Sequence, residues 1–300
     1  MPAEGMTWIP NDDLASDGEL LRLASILVRL GVRDIRVTGG EPLVRSGLVE
    51  IVRGLHRLAG VDEITMTTNG VLLAGQIDAL VSAGLDRVNV SVDTLDPQRF
   101  AALTRRDDLA RVLDGLNACE RHPGLGTIKV NAVVLRGVGE PDVLPLAGLA
   151  RERAFEVRFI EAMPLDAGRE WSYELVLPGR EIRAMIDAVW PLREVARTRA
   201  SAPGRRWGFA DGAGVLEFVS SVSEPFCATC DRLRLTADGR LRTCLFAESE
   251  TDLLGPLRAG APDDQIARII RTAVAQKSPG HSIGTPGWTY RGRPMSMIGG

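Results

Sequence analysis

The chain has 300 residues, 45% hydrophobic and 25% charged, enough to bury a large core in one or two domains without disulfide staples. No run approaches the roughly 18 apolar residues of a membrane span. The opening Met1-Pro2-Ala3-Glu4-Gly5-Met6 has no basic region followed by an apolar leader, so a cytoplasmic protein without membrane contact is expected. The net charge of −3 argues against nucleic-acid coating. Of the 36 basic residues only Lys129 and Lys277 are lysines. GC-rich coding explains most of that bias, although the arginine fork also suits phosphate.

Residues 19–30 put Leu20, Leu23, Ile26, Leu27 and Leu30 on one helical face. Ser16 and Asp17 supply capping oxygens and Gly31 ends the helix. Residues 34–38 read as a strand stopped by Gly39-Gly40. Helices at 48–58, 74–82, 109–119 and 144–153 then alternate with strands at 63–67, 87–92, 128–135 and 156–160. Their spacing of roughly 25 to 35 residues is that of parallel βαβ crossovers. The pattern fits a doubly wound sheet or a barrel equally well.

After Pro164 the rhythm changes, dividing the chain into 1–165 and 166–300. A loop at 165–174 and a helix at 180–190 precede short strands at 192–197, 206–209 and 215–220. A hairpin with arms 232–236 and 241–244 turns at Ala237-Asp238-Gly239. A helix at 264–276 leads into a Gly/Pro-rich tail.

The strongest chemical signal is Cys227-x2-Cys230-x13-Cys244, three thiols that a hairpin can bring together. Three thiolates suit a soft metal, and a cubane iron–sulfur cluster can use three cysteines and leave one iron open. The other readings are buried thiols without metal, or a zinc site completed by a residue such as His281. Cys119 shares an apolar helical face with Leu109, Val112, Leu113 and Leu116, and reads as core.

Thr38-Gly39-Gly40-Glu41-Pro42, Thr67-Thr68-Asn69-Gly70 and Asn89-Val90-Ser91-Val92-Asp93 all end strands, where α/β sheets bind ligands. Helix caps use the same residue types. The Glu41 carboxylate could accept bonds from an amine. Lys129 and Asn131 share one face of an apolar strand, as anion ligands or as a solvated edge. Arg232 and Arg234 alternate with Leu233 and Leu235, and two guanidinium groups on one face suit a polyphosphate.

Together, the Gly-Gly-Glu-Pro and Thr-Thr-Asn-Gly motifs, the cysteine spacing and the ending Arg293-Pro294-Met295-Ser296-Met297-Ile298-Gly299-Gly300 resemble the GTP 3′,8-cyclases. These are radical S-adenosylmethionine (SAM) enzymes that begin molybdenum-cofactor synthesis. The resemblance runs from residue 1 to residue 300. It implies an α/β fold, an incomplete (β/α)6 TIM-like barrel with a C-terminal α+β cluster-binding region. It implies that Cys227, Cys230 and Cys244 ligate a [4Fe-4S] cluster and that Gly40, Ser91 and Met163 contact SAM. Arg36, Thr67, Lys129, Arg232, Leu233 and Arg234 match GTP-contacting positions, and the Gly299-Gly300 tail reaches toward the active site. The implied reaction converts GTP to 3′,8-cyclo-7,8-dihydro-GTP, which cyclic pyranopterin monophosphate synthase consumes. A homodimer is a further implication.

One departure stands out. In the family an N-terminal Cys-x3-Cys-x2-Cys motif, which holds the SAM-cleaving [4Fe-4S] cluster, runs straight into Met-Pro. This sequence opens on Met1-Pro2. The expectation is that the first barrel strand and that cluster's ligands lie upstream, and that the codon before Met1 encodes cysteine. The alternatives are a non-catalytic relative that binds GTP and one cluster, or a structural zinc module.

Overall fold

The computed structural model describes residues 9–283, 285, 288–290 and 292–299. Helix α1 (Asp17–Arg29) opens with a capping box. Ser16 Oγ accepts the Glu19 N–H at 3.3 Å, and Glu19 Oε2 accepts the Ser16 N–H at 2.8 Å. Asp17, expected as a second cap, instead accepts from Arg45 Nε at 2.8 Å. Gly31 leaves the helix at φ +105°, a left-handed conformation that favours glycine.

Five parallel strands follow: β1 (Asp34–Val37), β2 (Glu63–Thr68), β3 (Arg87–Ser91), β4 (Ile128–Val134) and β5 (Phe155–Glu161). Between them run α2 (Leu48–His56), α3 (Ile77–Ser82), α4 (Pro97–Thr104), α5 (Leu109–Glu120) and α6 (Glu140–Glu152). The sequence reading has no helix at α4. Its signal is Asp96-Pro97, a cap followed by a first-turn proline, and Asp96 Oδ1 accepts the Arg99 N–H at 2.8 Å. Helix α6 begins at Glu140 rather than 144, because Pro141 in the first turn has no N–H to lose.

Helix α7 (Gly179–Asp187) leads to β6 (Leu192–Val195), β7 (Arg205–Phe209) and β8 (Val215–Val219). Here the structure differs from expectation. Strand β8 pairs in parallel with β5, so the sheet continues past residue 165. Hairpin connections then force β7 and β6 to be antiparallel. The result is one mixed eight-stranded sheet, β1-β2-β3-β4-β5-β8-β7-β6, in which β1 to β5 and β8 run parallel. The sheet curls, since Arg199 in the β6–β7 loop forms an ion pair with Asp34 on β1, at the opposite edge.

A small sheet of β9 (Arg234–Leu235), β10 (Arg240–Arg242) and β11 (Thr251–Asp252) precedes α8 (Leu254–Arg258) and α9 (Asp263–Ala275). Leu233 and Leu235 pack there with α1, α8 and α9 around a second core. A last turn, α10 (Met295–Ile298), ends the described chain near the main sheet.

Alternation gives the main sheet two unlike faces. Ile64, Met66, Val88, Val90, Val130 and Val157 face the helices and form the main core. The same strands and β8 turn Thr65, Asn89, Lys129, Glu156, Arg158 and Glu217 to the concave side, and all six are buried. Cys119 lies in the main core, where burial pushes its thiol up to about 12.

Asp93 lies just beyond β3. Burial raises its pKa to about 6, the Val133 N–H at 2.8 Å opposes the shift, and the Asp142 carboxylate adds to it. A folded-state pKa above the unfolded value means that stability is greatest below about pH 4 and falls as pH rises to about 6. Asp93→Asn is therefore expected to raise stability by up to about 3 kcal/mol at pH 7 and to add little near pH 4. Urea midpoints at the two pH values check this, and equal gains at both would contradict it.

Candidate active site

The first two motifs are tied together by Glu41. Its Oε1 accepts the Thr68 hydroxyl at 2.6 Å and the Leu43 N–H at 3.1 Å, and its Oε2 accepts the Asn69 N–H at 2.8 Å. The carboxylate is thus a clamp between the ends of β1 and β2, and its Oε2, with a single bond, keeps an acceptor position open. The clamp leaves Gly40 exposed in the bend after β1. Ser91 is exposed at the end of β3. Thr67 Oγ1 accepts the Asn89 amide at 3.2 Å. Met163, just past β5, is half-buried against Val176, Val222 and Ile283. All four residues therefore lie at or near the carboxyl ends of parallel strands, where such sheets take ligands.

Below these ends lies a cavity of about 210 Å³. Arg36, Arg87, Lys129, Arg158 and Arg199 line it, against the carboxylates Glu63 and Glu217. Lys129 is no solvated edge residue: it is 4% exposed and donates to Glu156 at 2.5 Å and to Glu217 at 3.0 Å. Arg158 donates to the same Glu217 oxygen at 2.8 Å, and Arg206 donates to Glu156 at 3.0 Å. Burial works against the Glu217 carboxylate, but Arg158 and Lys129 outweigh it and hold its pKa well below the usual range. Asn89 Oδ1 and Asn131 Oδ1 are buried on this face with no hydrogen-bond partner, two acceptors open to a ligand.

Arg36, Arg232 and Arg234 differ from that paired network. Among the described residues none of the three has a carboxylate partner. Arg36 donates to Thr65 Oγ1 at 3.2 Å, Arg232 lies 4.9 Å from the Phe226 ring centroid, and Arg234 donates to the Gly299 carbonyl at 2.5 Å. Arg36 is open to solvent at its tip yet surrounded by protein. Burial, and then Arg158, Arg87, Arg232 and Arg234, lower its pKa to about 10. Burial followed by Arg232 and Arg242 does the same to Arg234. Each remains charged at neutral pH; burial is the larger cause, and the neighbouring cations add a repulsion that an anion would relieve. The Leu233 side chain turns to the second core, so only its backbone faces this group.

The C-terminal tail comes to the same place. A Cβ on Gly299 would stand 2.4 Å from Thr38 Oγ1, so the tail meets the first motif as closely as glycine allows. Gly300 lies outside the described residues.

Cys227 opens a short turn, Cys230 follows it, and Cys244 lies just after β10; all three are half-buried thiols. Lys277 donates to the Cys230 and Arg232 carbonyls at 2.8 and 2.9 Å, and its ammonium lies 3.7 Å from Cys230 Sγ. Burial pushes the Cys230 thiol up, but bonds from Arg232 and the nearby Arg232 and Lys277 charges outweigh it, and the net shift is downward. Both Cys230 and Cys244 act electrostatically on Arg234. Among the described residues no three ligating side chains are gathered for a single metal ion. The donor set suits a cubane better, because each thiolate then binds its own iron. His281 is not a spare zinc ligand: its Nε2–H donates to the Ser221 carbonyl at 3.0 Å, and its Nδ1 accepts the Ile283 N–H at 3.3 Å.

Two buried residues that the sequence reading missed hold these loops. Glu161 is 1% exposed. It accepts the N–H groups of Gly179, Val222 and Ser223, each at 2.9 Å, and so fixes the approach to the cysteine turn. Arg242, also 1% exposed, pairs with Glu250 and donates to the Leu245 carbonyl at 3.0 Å and to Tyr290 at 3.1 Å. Arg293 grips the same Glu250 at 2.9 Å, joining the tail to the Cys244 loop.

Residues 4–150 match the Radical SAM superfamily, and residues 155–283 match Molybdenum Cofactor Synthesis C. The GTP 3′,8-cyclase of Mycobacterium marinum is 48% identical over 305 residues, covering 100% of this chain and 84% of the relative. That of Streptomyces coelicolor is 46% identical over 302 residues, covering 100% of this chain and 88% of the relative. The chain belongs to the GTP 3′,8-cyclase family. In this GTP 3′,8-cyclase family member the Radical SAM match carries the motif-bearing ends of β1 to β3. The Molybdenum Cofactor Synthesis C match carries the three thiols and Arg232 to Arg234.

Breaking the Arg242 pair would strip Glu250 of one of its two arginine partners and leave the part-buried Leu245 and Ala247 carbonyls without their donor. Arg242→Met is expected to cost about 3 kcal/mol, with part of the loss recovered in the Arg242→Met/Glu250→Gln double variant. Chemical denaturation checks this. A loss below about 1 kcal/mol would show that the Cys244 loop does not depend on the pair.

Proposed function

We propose that the chain is a cytoplasmic radical SAM enzyme that converts GTP to 3′,8-cyclo-7,8-dihydro-GTP, the first step of molybdenum-cofactor synthesis. The observation that carries this reading is the 48% identity to a GTP 3′,8-cyclase across the whole chain. The arginine-lined cavity beside a three-thiol loop supports it. Residues 1–165 would serve SAM, and residues 166–300 would serve the second cluster and GTP. Cyclic pyranopterin monophosphate synthase would consume the product, and the enzyme would act as a homodimer.

Cys227, Cys230 and Cys244 would hold one [4Fe-4S] cluster with an iron open to a nitrogen or oxygen of guanine. Gly40, with its backbone free of a side chain, and Ser91 and Met163 would hold SAM at the strand ends. When bound, SAM and the cluster that reduces it supply the radical chemistry that removes the C3′ hydrogen of GTP and lets C3′ join C8. The ligands of that SAM-reducing cluster are not among the four cysteines of this sequence.

The chain's own residues do orientation work. Arg36, Arg232 and Arg234 hold the triphosphate, the anion that relieves their crowding. Lys129 contributes from the layer below, kept rigid by Glu156 and Glu217. Thr67 and the Leu233 backbone fix the sugar and base side. The Gly299 carbonyl holds the Arg234 guanidinium and so sets its direction toward the nucleotide.

Reconstituted protein is expected to hold four irons per chain, as one [4Fe-4S] cluster, and to lose them in Cys230→Ala. Tetrahedral zinc with unchanged occupancy in that variant would overturn the cluster assignment. Arg234→Ala is expected to weaken GTP binding by roughly 1.5 to 3 kcal/mol, the range for charged hydrogen bonds, and to weaken guanosine binding less. Equal losses for both would show that Arg234 does not touch phosphate.

A further inference from the structure

A second, larger groove of about 720 Å³ lies on the other side of the sheet. Along β7, Arg205 is in register with Phe218 and Trp207 with Leu216, which places them on the helix-covered face. Arg206, between them, points to the concave face and reaches Glu156. The sheet lies between the groove and the arginine-lined cavity, although Pro203 of the β6–β7 loop borders both and Phe226, Ala228 and Thr229 of the cysteine turn form one end of the groove.

Four arginines line this groove: Arg180 and Arg183 on α7, Arg197 in the β6–β7 loop, and Arg205 on β7. Its lone lining carboxylate is Glu224, 3.7 Å from Arg205. Among the described residues Arg180, Arg183 and Arg197 make no ion pair. Arg183 is not a loose surface chain, since its guanidinium stacks 4.1 Å from the Trp207 ring centroid. Four guanidinium groups facing one carboxylate repel each other, and a multiply charged anion relieves that repulsion while filling their forks pairwise. The volume falls within the roughly 300 to 1,000 Å³ typical of small-molecule sites, and an apolar floor with a few convergent charges is the usual make-up of such a site.

We infer that this groove is a second anion site, distinct from the substrate cavity, that takes a polyphosphate chain, either that of a nucleotide or a free one. The inference does not rest on the cyclase reaction, because none of these arginines lies in the cavity proposed for GTP. Isothermal titration of the full chain with ATP, and separately with inorganic tripolyphosphate, tests it at fixed ionic strength. Two equivalents of ligand per chain are expected. Arg180→Ala/Arg183→Ala should weaken one of them at least tenfold and leave the other, which Arg234→Ala alone should weaken.

Arg180→Glu, a change at an exposed position, should abolish the same equivalent and guards against a folding defect at Arg183. Tighter binding of ATP than of tripolyphosphate at the groove would identify the source as a nucleotide. Equal binding would identify the polyphosphate chain alone, and either result upholds the site. A single equivalent that the double variant removes also upholds it. No binding at all, or binding whose every equivalent survives the double variant, would overturn it. So would equal weakening by Arg268→Ala, an exposed arginine on α9 that makes no ion pair among the described residues.

Discussion

The fold depends on keeping charge inside a sheet. Lys129, Glu156, Arg158 and Glu217 are nearly inaccessible, and each alone would cost several kcal/mol to bury. They are tolerable because they alternate in sign: Arg206 holds Glu156, Lys129 bridges Glu156 and Glu217, and Arg158 holds Glu217. The network crosses β4, β5, β7 and β8, so it also fixes where the antiparallel end of the sheet sits against the parallel part. An apolar face on the opposite side of the same strands packs the helices and supplies the stability that the charged layer does not.

Function follows from what that network leaves unpaired. The inner cations are matched by carboxylates, whereas Arg36, Arg232 and Arg234 above them are not. They come from distant elements, one on β1 and two beside the cysteine loop, and burial, reinforced by neighbouring cations, lowers the pKa values of Arg36 and Arg234. The site is therefore preorganised for an anion. The same loop carries a thiol held low by Arg232 and Lys277, so the unpaired arginines and the three thiols share one support. Glu161 and Arg242 anchor that support from below, and through Arg293 the anchor extends to the tail that ends on Arg234.

Much of this was legible in the sequence. The βα rhythm located every parallel strand from β1 to β5, and the three motif-bearing strand ends do converge. Lys129 stood out because it interrupts an apolar strand. Glu156-Val157-Arg158-Phe159 and Leu216-Glu217-Phe218 carry the same alternation, but a charge on an alternating strand reads as solvent-facing until its cross-strand partners are known. Those partners lie far apart in the chain, at 129, 156 and 217. For the same reason, short strands at β6 to β8 could be seen but not assigned to the main sheet, since pairing with β5 is a long-range contact. Helix α4 was missed because eight residues with a weak apolar face give little periodic signal. The clamping role of Glu41 is not legible in the sequence, because its local sequence gives no hint of Thr68 and Asn69, which bond its oxygens.

The central claim is that the unpaired arginines above the buried network form the triphosphate site. A crystal structure of the anaerobically reconstituted chain with GTP tests it most directly. The account predicts triphosphate oxygens within hydrogen-bond distance of Arg36 and Arg234, with the Lys129–Glu156–Glu217–Arg158 network intact beneath them. A triphosphate bound away from these arginines, with the Arg234 bond to Gly299 unchanged and the cavity filled only by water, would contradict it.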